Sequence, residues 1–170
     1  MNEHVWHTRA EKPADIPAIR AVVLAAFPTP MEADLVDALR ADPAWIDGLS
    51  VVATTGDGTV AGHALLTRCH IGDSPALALA PVAVAPEAQR TGAGQAATRA
   101  ALRAAADLGE HHVIVLGHPE YYPRFGFGRA SAHGIELNMD VPDEAVMALT
   151  FDEAHPLPSG MIRYAAPFGV

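Results

Sequence analysis

The chain has a single cysteine, Cys69, and no apolar run of about 18 residues or more. One cysteine excludes an internal disulfide framework and argues against a cysteine-rich zinc site. Because no apolar run is that long, the sequence offers no helix that would cross a membrane. Residues 1–8 also lack the basic start and hydrophobic stretch of a signal peptide. We expect a soluble, cytoplasmic protein with no membrane partner.

Positive charge is also scarce, since 11 Lys and Arg face 20 Asp and Glu and the net charge is -9. Binding to nucleic acid depends on clustered Lys and Arg that release counterions, so we expect no nucleic-acid partner. An acidic balance suits a cationic small partner, and it equally serves solubility. Apolar side chains are abundant, at 50% of the 170 residues. That content and length predict one folded domain over residues 1–170.

One stretch, residues 81–109, predicts a strand, a tight turn and a long helix. Residues 81–85 are apolar and bounded by prolines, which favours a short buried strand. Residues 86–94 form the turn, and from about Gly92 the run is rich in Ala, Leu and Arg until Gly109 ends it. The glycines of the turn therefore lie at the N-terminus of a helix.

A helix N-terminus that carries glycines is suited to binding a phosphate. Its first backbone N–H groups have no partners, it carries the positive end of the helix dipole, and Gly92 and Gly94 leave room for an anion. Arg90 adds a full positive charge. The dinucleotide fingerprint GxGxxG would need a glycine where Ala97 stands, and no P-loop sequence occurs. On spacing alone, two glycines before a helix are equally typical of a structural turn.

Hydrophobic periodicity and turn residues predict the remaining elements. Asp15 is expected to cap a helix whose apolar positions run from Ile16 to Phe27. The other predicted segments are a second helix at about 32–41, a brief helix at 121–125, strands at 5–9, 50–55, 60–70, 77–84, 113–116, 135–139 and 161–165, and a helix or long excursion at 142–157. Tight turns at 56–59 and 72–75 join the early strands, which should therefore pair antiparallel.

The turn before the long helix resembles a known signature. Its residues 89–94, QRTGAG, are similar to the Q/R-x-x-G-x-G/A motif with which the GNAT family of N-acetyltransferases binds coenzyme A. Residues 121–127, YYPRFGF, are similar to the family's Y-x-x-x-G-F. Residues 113–127 resemble especially a subgroup of small bacterial acetyltransferases with a VLGxPxYYxRFGF pattern. The two motifs together are far more specific than either alone.

This resemblance implies a GNAT fold of the α+β class, built in three layers. Its mixed central sheet has an antiparallel N-terminal half and helices on both faces, and two central parallel strands splay to admit the pantetheine arm. The implied acyl donor is acetyl-CoA. The strand amides that meet the pantetheine and the thioester correspond to Val82, Ala83 and Val84. The pyrophosphate site corresponds to Gln89, Arg90, Thr91, Gly92, Ala93, Gly94 and Gln95.

Tyr122 matches the family tyrosine that lies near the coenzyme sulfur and acts as a general acid. A phenol with an ordinary pKa of about 10 is protonated at neutral pH and can donate to a thiolate. The alternative is that the ring only packs under the loop, which is the favoured role for Tyr121. Gly126 and Phe127 are expected to fix the turn and anchor the following strand.

No general base stands out in the sequence. The candidates are Glu32, His70, His118 and Glu120. Each type is more often a surface or satisfied polar residue, and water can relay the proton instead. His111 and His112 look like half of a metal site, but adjacent strand residues point to opposite faces, so we expect no metal.

The first functional hypothesis is an acetyl-CoA-dependent N-acetyltransferase that moves an acetyl group directly to a primary amine of a small molecule or peptide. The alternative is a non-catalytic acyl-CoA-binding or sensing module of the same fold, and the retained Tyr122 favours the enzyme. A nucleotide-binding αβ domain is disfavoured by the missing fingerprints. The acceptor is not predicted, because its pocket is built by the least characteristic segments and a fold does not specify a substrate. A homodimer is left open.

Overall fold

The computed structural model describes residues 6–170, in which nine strands form a mixed sheet. The strands are β1 His7–Ala10, β2 Ser50–Thr54, β3 Val60–Ile71, β4 Ser74–Val84, β5 His112–Leu116, β6 Gly128–Arg129, β7 Ile135–Glu136, β8 Val146–Thr150 and β9 Gly160–Arg163. The helices are α1 Ile16–Ala26, α2 Met31–Arg40 and α3 Ala93–Asp107, with short 3-10 helices in the connections. Within residues 6–170, no helix is long and apolar enough to cross a membrane.

The strands lie in the order β1-β2-β3-β4-β5-β8-β6. All neighbours in that order run antiparallel except β4 and β5, which are parallel. β9 pairs antiparallel with the far end of β3 and parallel with β7. The predicted mixed sheet with an antiparallel first half is confirmed.

Helices cover both faces of the sheet, as predicted. On one face α3 packs through Ala97 and Ala101 into a cluster that includes Leu66 of β3. On the other face α1 and α2 pack over a second cluster, which includes Ile19 and Leu65. Neighbouring residues of β3 thus point into opposite layers, as the geometry of a strand requires.

Small side chains bring α3 close to the sheet. Ala97, Ala101 and Ala105 are fully buried. At the start of the helix, a methyl group on Gly62 of β3 would lie only 3.2 Å from the carbonyl oxygen of Ala93. This close approach holds the N-terminus of α3 against the sheet beside the end of β4, and it explains why the helix is rich in alanine.

Some predicted segments differ from the structure. Residues 142–157 contain a strand, β8, and the strand predicted at 135–139 is only Ile135–Glu136. β4 already begins at Ser74, so the predicted turn at 72–75 is shorter. β8 is fixed by its pairing with distant β5, which no local pattern reveals. Residue 5 of the predicted first strand lies outside the described residues.

Asp15 is the N-cap residue of α1, as predicted, but its side chain makes no capping hydrogen bond to that helix. Its carboxylate accepts two hydrogen bonds from Arg9, at 2.6 and 2.9 Å, and one from the Lys12 amide at 2.6 Å. The hydrogen bonds from the Arg9 guanidinium lower the pKa of Asp15 to about 2. The side chain therefore ties β1 to the turn that precedes α1.

Replacing Asp15 with Asn should lower the free energy of unfolding at neutral pH by about 1 to 2 kcal/mol, less than the pKa alone implies because water reaches Arg9. The ionised Asp15 carboxylate contributes its full stabilisation when the pH is above its unfolded-state pKa of about 4. This stabilisation is lost as the pH falls through the folded-state pKa of about 2. In urea titrations the variant and the parent should therefore converge on acidification through that range. Asp34→Asn, which removes an exposed pair with Arg20, is the control and should cost far less. A gap that does not narrow would contradict this account.

Candidate active site

The two parallel strands β4 and β5 separate soon after they meet. They pair only at Leu77 with Val113 and at Ala78 with Ile114, although β4 continues to Val84. The predicted splay of the central strands is therefore confirmed.

A β-bulge lies on β4 where the two strands part. In the ladder between β3 and β4, Ala64 pairs with Val82 and Leu66 with Leu79. Leu65 therefore faces two residues, Ala80 and Pro81, and a bulge of this kind bends the strand and redirects the side chains around it. Val82, just past the bulge, consequently faces the opening between the strands, where it lines cavities on both sides.

The loop between β4 and α3 shapes one side of this opening. Arg90 and Gly92 have positive φ angles of 63° and 91°, and Gly92 is the N-cap of α3. Such left-handed residues turn successive backbone N–H groups toward one concave side, which suits an anion. Gly92 has no side chain to cap the first amides of α3, so those amides stay available to a ligand.

Two hydrogen bonds hold this loop in place. The indole Nε1 of Trp6 donates to the carbonyl oxygen of Thr91 at 3.0 Å. The Thr91 hydroxyl donates to the carbonyl oxygen of Ala88. The loop is thus fastened both to the N-terminal part of the chain and to its own preceding turn.

A cavity of about 650 Å³, here called the loop cavity, lies between this loop and the residues that follow β5. Among the residues expected to bind coenzyme, Val82, Val84, Gln89, Arg90 and Gly94 line it. The others, Ala83, Thr91, Gly92, Ala93 and Gln95, do not line this cavity. The side chains of Ala83 and Ala93 are buried in the core under α1 and α2, so any contact with a ligand would be through their backbone.

Tyr122 lies where the loop cavity meets a second cavity of about 520 Å³. A methyl group on Gly117 would come within 2.4 Å of Cε2 of Tyr122, so the glycine lets the ring lie against the end of β5. The ring also packs edge-on against Phe127, with centroids 5.9 Å apart. Phe127 is buried in the core, as expected of an anchor, and the neighbouring Gly126 has a φ of 104°.

The hydroxyl of Tyr122 is in the state that a proton donor needs. Burial raises its pKa to about 12, so the phenol stays protonated at neutral pH. Within residues 6–170, no group of the protein forms a hydrogen bond with this hydroxyl. The group is therefore free to donate to a ligand in either cavity.

Tyr121 has a different environment from Tyr122. The guanidinium of Arg124 lies 4.3 Å from the centroid of its ring, and Phe125 packs edge-on at 5.5 Å. Its hydroxyl oxygen is 3.7 Å from the position that a Cβ on Gly94 would occupy. Unlike Tyr122, Tyr121 lines only the loop cavity and not the second one. Its position near the start of α3 agrees with a packing role.

The second cavity is here called the aromatic cavity, because four aromatic rings line it. These are Phe27, Tyr122, Tyr164 and Phe168. Glu32 and His118, two of the candidate bases, also line it. Glu120 lines only the loop cavity, and His70 lines a third cavity of about 680 Å³ together with Arg68 and Arg163.

Sequence reasoning missed the two rings supplied by the C-terminal region. Tyr164 follows β9 and Phe168 ends a 3-10 helix, and their centroids are 4.9 Å apart. Two aromatic residues four positions apart after a strand were the available signal. That spacing does not show that the segment folds back beside Tyr122, because the pairing of β9 with β3 brings it there.

The paired histidines, His111 and His112, both contact His155. His111 stacks on His155 with centroids 3.7 Å apart, and Nε2 of His112 bonds the carbonyl oxygen of His155 at 2.9 Å. Over residues 6–170, no group of three or more His, Cys, Asp or Glu is placed to hold a metal ion. Cys69 is buried, and that burial raises its pKa to about 12, so it is an unreactive thiol.

Sequence comparison relates the chain to acetyltransferases. A sequence model of the acetyltransferase (GNAT) family matches residues 17–127. YjhQ, an uncharacterized N-acetyltransferase of Escherichia coli strain K12, is 35% identical over 175 residues, which cover 98% of this chain and 96% of that protein. YhbS, another from the same strain, is 29% identical over 163 residues, which cover 94% and 96% of the two chains.

Solved structures of similar proteins include two that hold the donor or its product. YhbS from Escherichia coli in complex with CoA has a TM-score of 0.90 and 25% identity, and the match covers 100% of this chain and 95% of that one. A GNAT family acetyltransferase from Brucella melitensis in complex with acetyl-CoA has a TM-score of 0.79 and 32% identity, and the match covers 97% and 99%.

Proposed function

The chain belongs to the acetyltransferase (GNAT) family, and from that premise we propose that it transfers an acetyl group from acetyl-CoA directly to a primary amine of a small molecule or peptide. The observation that carries this proposal is the position of Tyr122. Its protonated hydroxyl lies at the junction of a cavity suited to an anionic ligand and a cavity suited to an acceptor.

The loop cavity fits the donor. We propose that backbone amides from Arg90 to Gln95 bind the pyrophosphate, where the positive end of α3 and the left-handed backbone of the loop favour an anion. The absence of a side chain on Gly94 fits this role, since a Cβ there would contact two residues of the cavity wall. Val82 to Val84 lead from this point to the splay, which suits the pantetheine arm. The donor would supply an activated acetyl group as a thioester.

Transfer joins the amine nitrogen to the acetyl carbon and breaks the carbon–sulfur bond, so a proton must leave the nitrogen and another must reach the sulfur. Tyr122 donates the second proton and is reprotonated from solvent. His118, which also lines the aromatic cavity, or a water relay accepts the first. Holding both reactants beside Tyr122 supplies the orientation that the reaction needs.

A cytoplasmic location forms part of the proposal, because a single buried thiol suits a reducing compartment. The test is thiol release from acetyl-CoA in the presence of an amine panel, with mass spectrometry of the products. The enzyme should form an N-acetylated amine and one free thiol per turnover. A sensing module of the same fold would bind coenzyme A by calorimetry and release no thiol above background, and that result would overturn the proposed activity.

A further inference from the structure

The aromatic cavity has an uneven distribution of charge and polarity. Besides its four rings it is lined by apolar residues from several elements, which include Leu35, Leu79, Leu116 and Met139. Among the described residues that line it, Glu32 carries the only acidic side chain, and neither lysine nor arginine occurs there. The cavity thus offers one acidic side chain among side chains that are otherwise mostly apolar.

Glu32 is placed to meet a cation that enters this cavity. It lies in the first turn of α2 and is half-buried. Its strongest side-chain contact in the structure is a long hydrogen bond of 3.5 Å from the hydroxyl of Thr29. By contrast, Asp34 in the same turn is bound to Arg20 at 2.9 Å, outside the cavity. The carboxylate of Glu32 therefore keeps most of its accepting capacity for a ligand.

The side chains that line the aromatic cavity limit which acceptor molecules can bind there with their ammonium group. A second positive charge would be buried against apolar side chains with no second acidic side chain to pair with, and a carboxylate on the acceptor would meet no lysine or arginine. An alkyl or aryl body would instead be buried against rings and aliphatic side chains, while the faces of Phe27, Tyr164 and Phe168 also attract a single ammonium group. The volume of about 520 Å³ lies within the usual range for small-molecule sites.

We propose that the acceptor is a monoamine with an apolar alkyl or aryl body, and that Glu32 is the residue that binds its ammonium group on arrival. This inference rests on the proposed acetyl transfer and narrows its acceptor. The same lining side chains disfavour polyamines, aminoglycosides and amino acids, because these acceptors carry additional charges. Contact with the Glu32 carboxylate favours the charged ammonium form on arrival, so the nitrogen must pass its proton to His118 or a water relay before it attacks.

Matched acceptors test this proposal by steady-state thiol release with the full chain. Hexylamine should exceed hexamethylenediamine and aminohexanoate in kcat/KM by at least about tenfold, since each analogue adds one charge that the wall does not compensate. Phenethylamine should exceed phenylalanine in the same way. Equal or better turnover of the doubly charged acceptors would overturn the monoamine proposal and leave acetyl transfer standing.

Glu32→Gln tests the binding role of the carboxylate. It should raise KM for hexylamine by about tenfold with a much smaller change in kcat, because a charge-assisted contact is replaced by a neutral one. Asp34→Asn, in the same turn of α2, is the control and should leave KM unchanged. An unchanged KM in Glu32→Gln would refute the role of Glu32. If no monoamine were acetylated while coenzyme A still bound, the acceptor class would be wrong, whereas loss of coenzyme binding itself would reject the proposed function.

Discussion

Gly94→Val should weaken binding of coenzyme A by about a hundredfold while the protein still folds. A Cβ at this position would lie 2.8 Å from Cγ2 of Val84 and 3.7 Å from the hydroxyl of Tyr121, and both residues line the loop cavity. The larger valine would push these neighbours into the space that the donor needs. Losing about two hydrogen bonds to a charged group accounts for an effect of this size.

Isothermal titration calorimetry with coenzyme A measures this effect, and the unfolding temperature reports whether the variant is folded. Gly56→Val is the matched control, since no atom lies within 4 Å of the added Cβ and Gly56 does not line the loop cavity. Gly92→Val should also weaken binding, but for another reason. The space around Gly92 is open, while its φ of 91° disfavours a β-branched residue, so Gly92→Asn should be milder. Unchanged affinity in both valine variants would show that the donor binds elsewhere.

Tyr122→Phe should lower kcat by about a hundredfold and leave the affinity for coenzyme A nearly intact. The hydroxyl meets charge that develops on sulfur, so it stabilises the transition state more than the bound thioester. The expected loss lies at the low end of the range for general acid catalysis, because a thiolate is already a good leaving group. The ring contacts with Phe127 and Gly117 remain in the variant, so its stability should not change.

Tyr121→Phe is the control for this change and should be much milder, because Tyr121 does not reach the aromatic cavity. The pH dependence gives a second readout. Burial raises the pKa of Tyr122 to about 12, and the donor form is present below that value, so Tyr122 should cause no fall in kcat on the alkaline side until the pH nears it. Full turnover of Tyr122→Phe, when the chemical step limits the rate, would make the residue structural.

Local patterns predicted the half of the site that a continuous stretch of chain builds. The turn before α3 and the Tyr121–Phe127 segment each carry their residues within a few positions, and glycine spacing and helix propensity are local properties. The approximate bounds of α3, predicted from about Gly92 to Gly109 and observed as Ala93–Asp107, followed from them. The resemblance to a family added the splay of the central strands, which composition alone does not reveal.

Long-range pairing placed the other half, and local patterns failed there. β8 was not predicted because its pairing with β5 stabilises it. The two strands are far apart in sequence, since Leu149 of β8 pairs with Val113, more than thirty positions earlier. Tyr164 and Phe168 reach the aromatic cavity because β9 pairs with β3. In that ladder, Arg163 lies opposite His70. Asp15 stands at the predicted N-cap position of α1, but its carboxylate binds Arg9 of β1 and not the first amides of the helix.

A crystal structure with coenzyme A bound would locate the donor site. We predict that the pyrophosphate accepts hydrogen bonds from backbone amides between Arg90 and Gln95, and that the sulfur lies within hydrogen-bonding reach of the Tyr122 hydroxyl, in the splay between β4 and β5. The rival location is the cavity of about 680 Å³ beside Arg68 and Arg163, whose guanidinium groups also attract phosphate. Coenzyme seated there, with the N-terminus of α3 left free, would contradict the account.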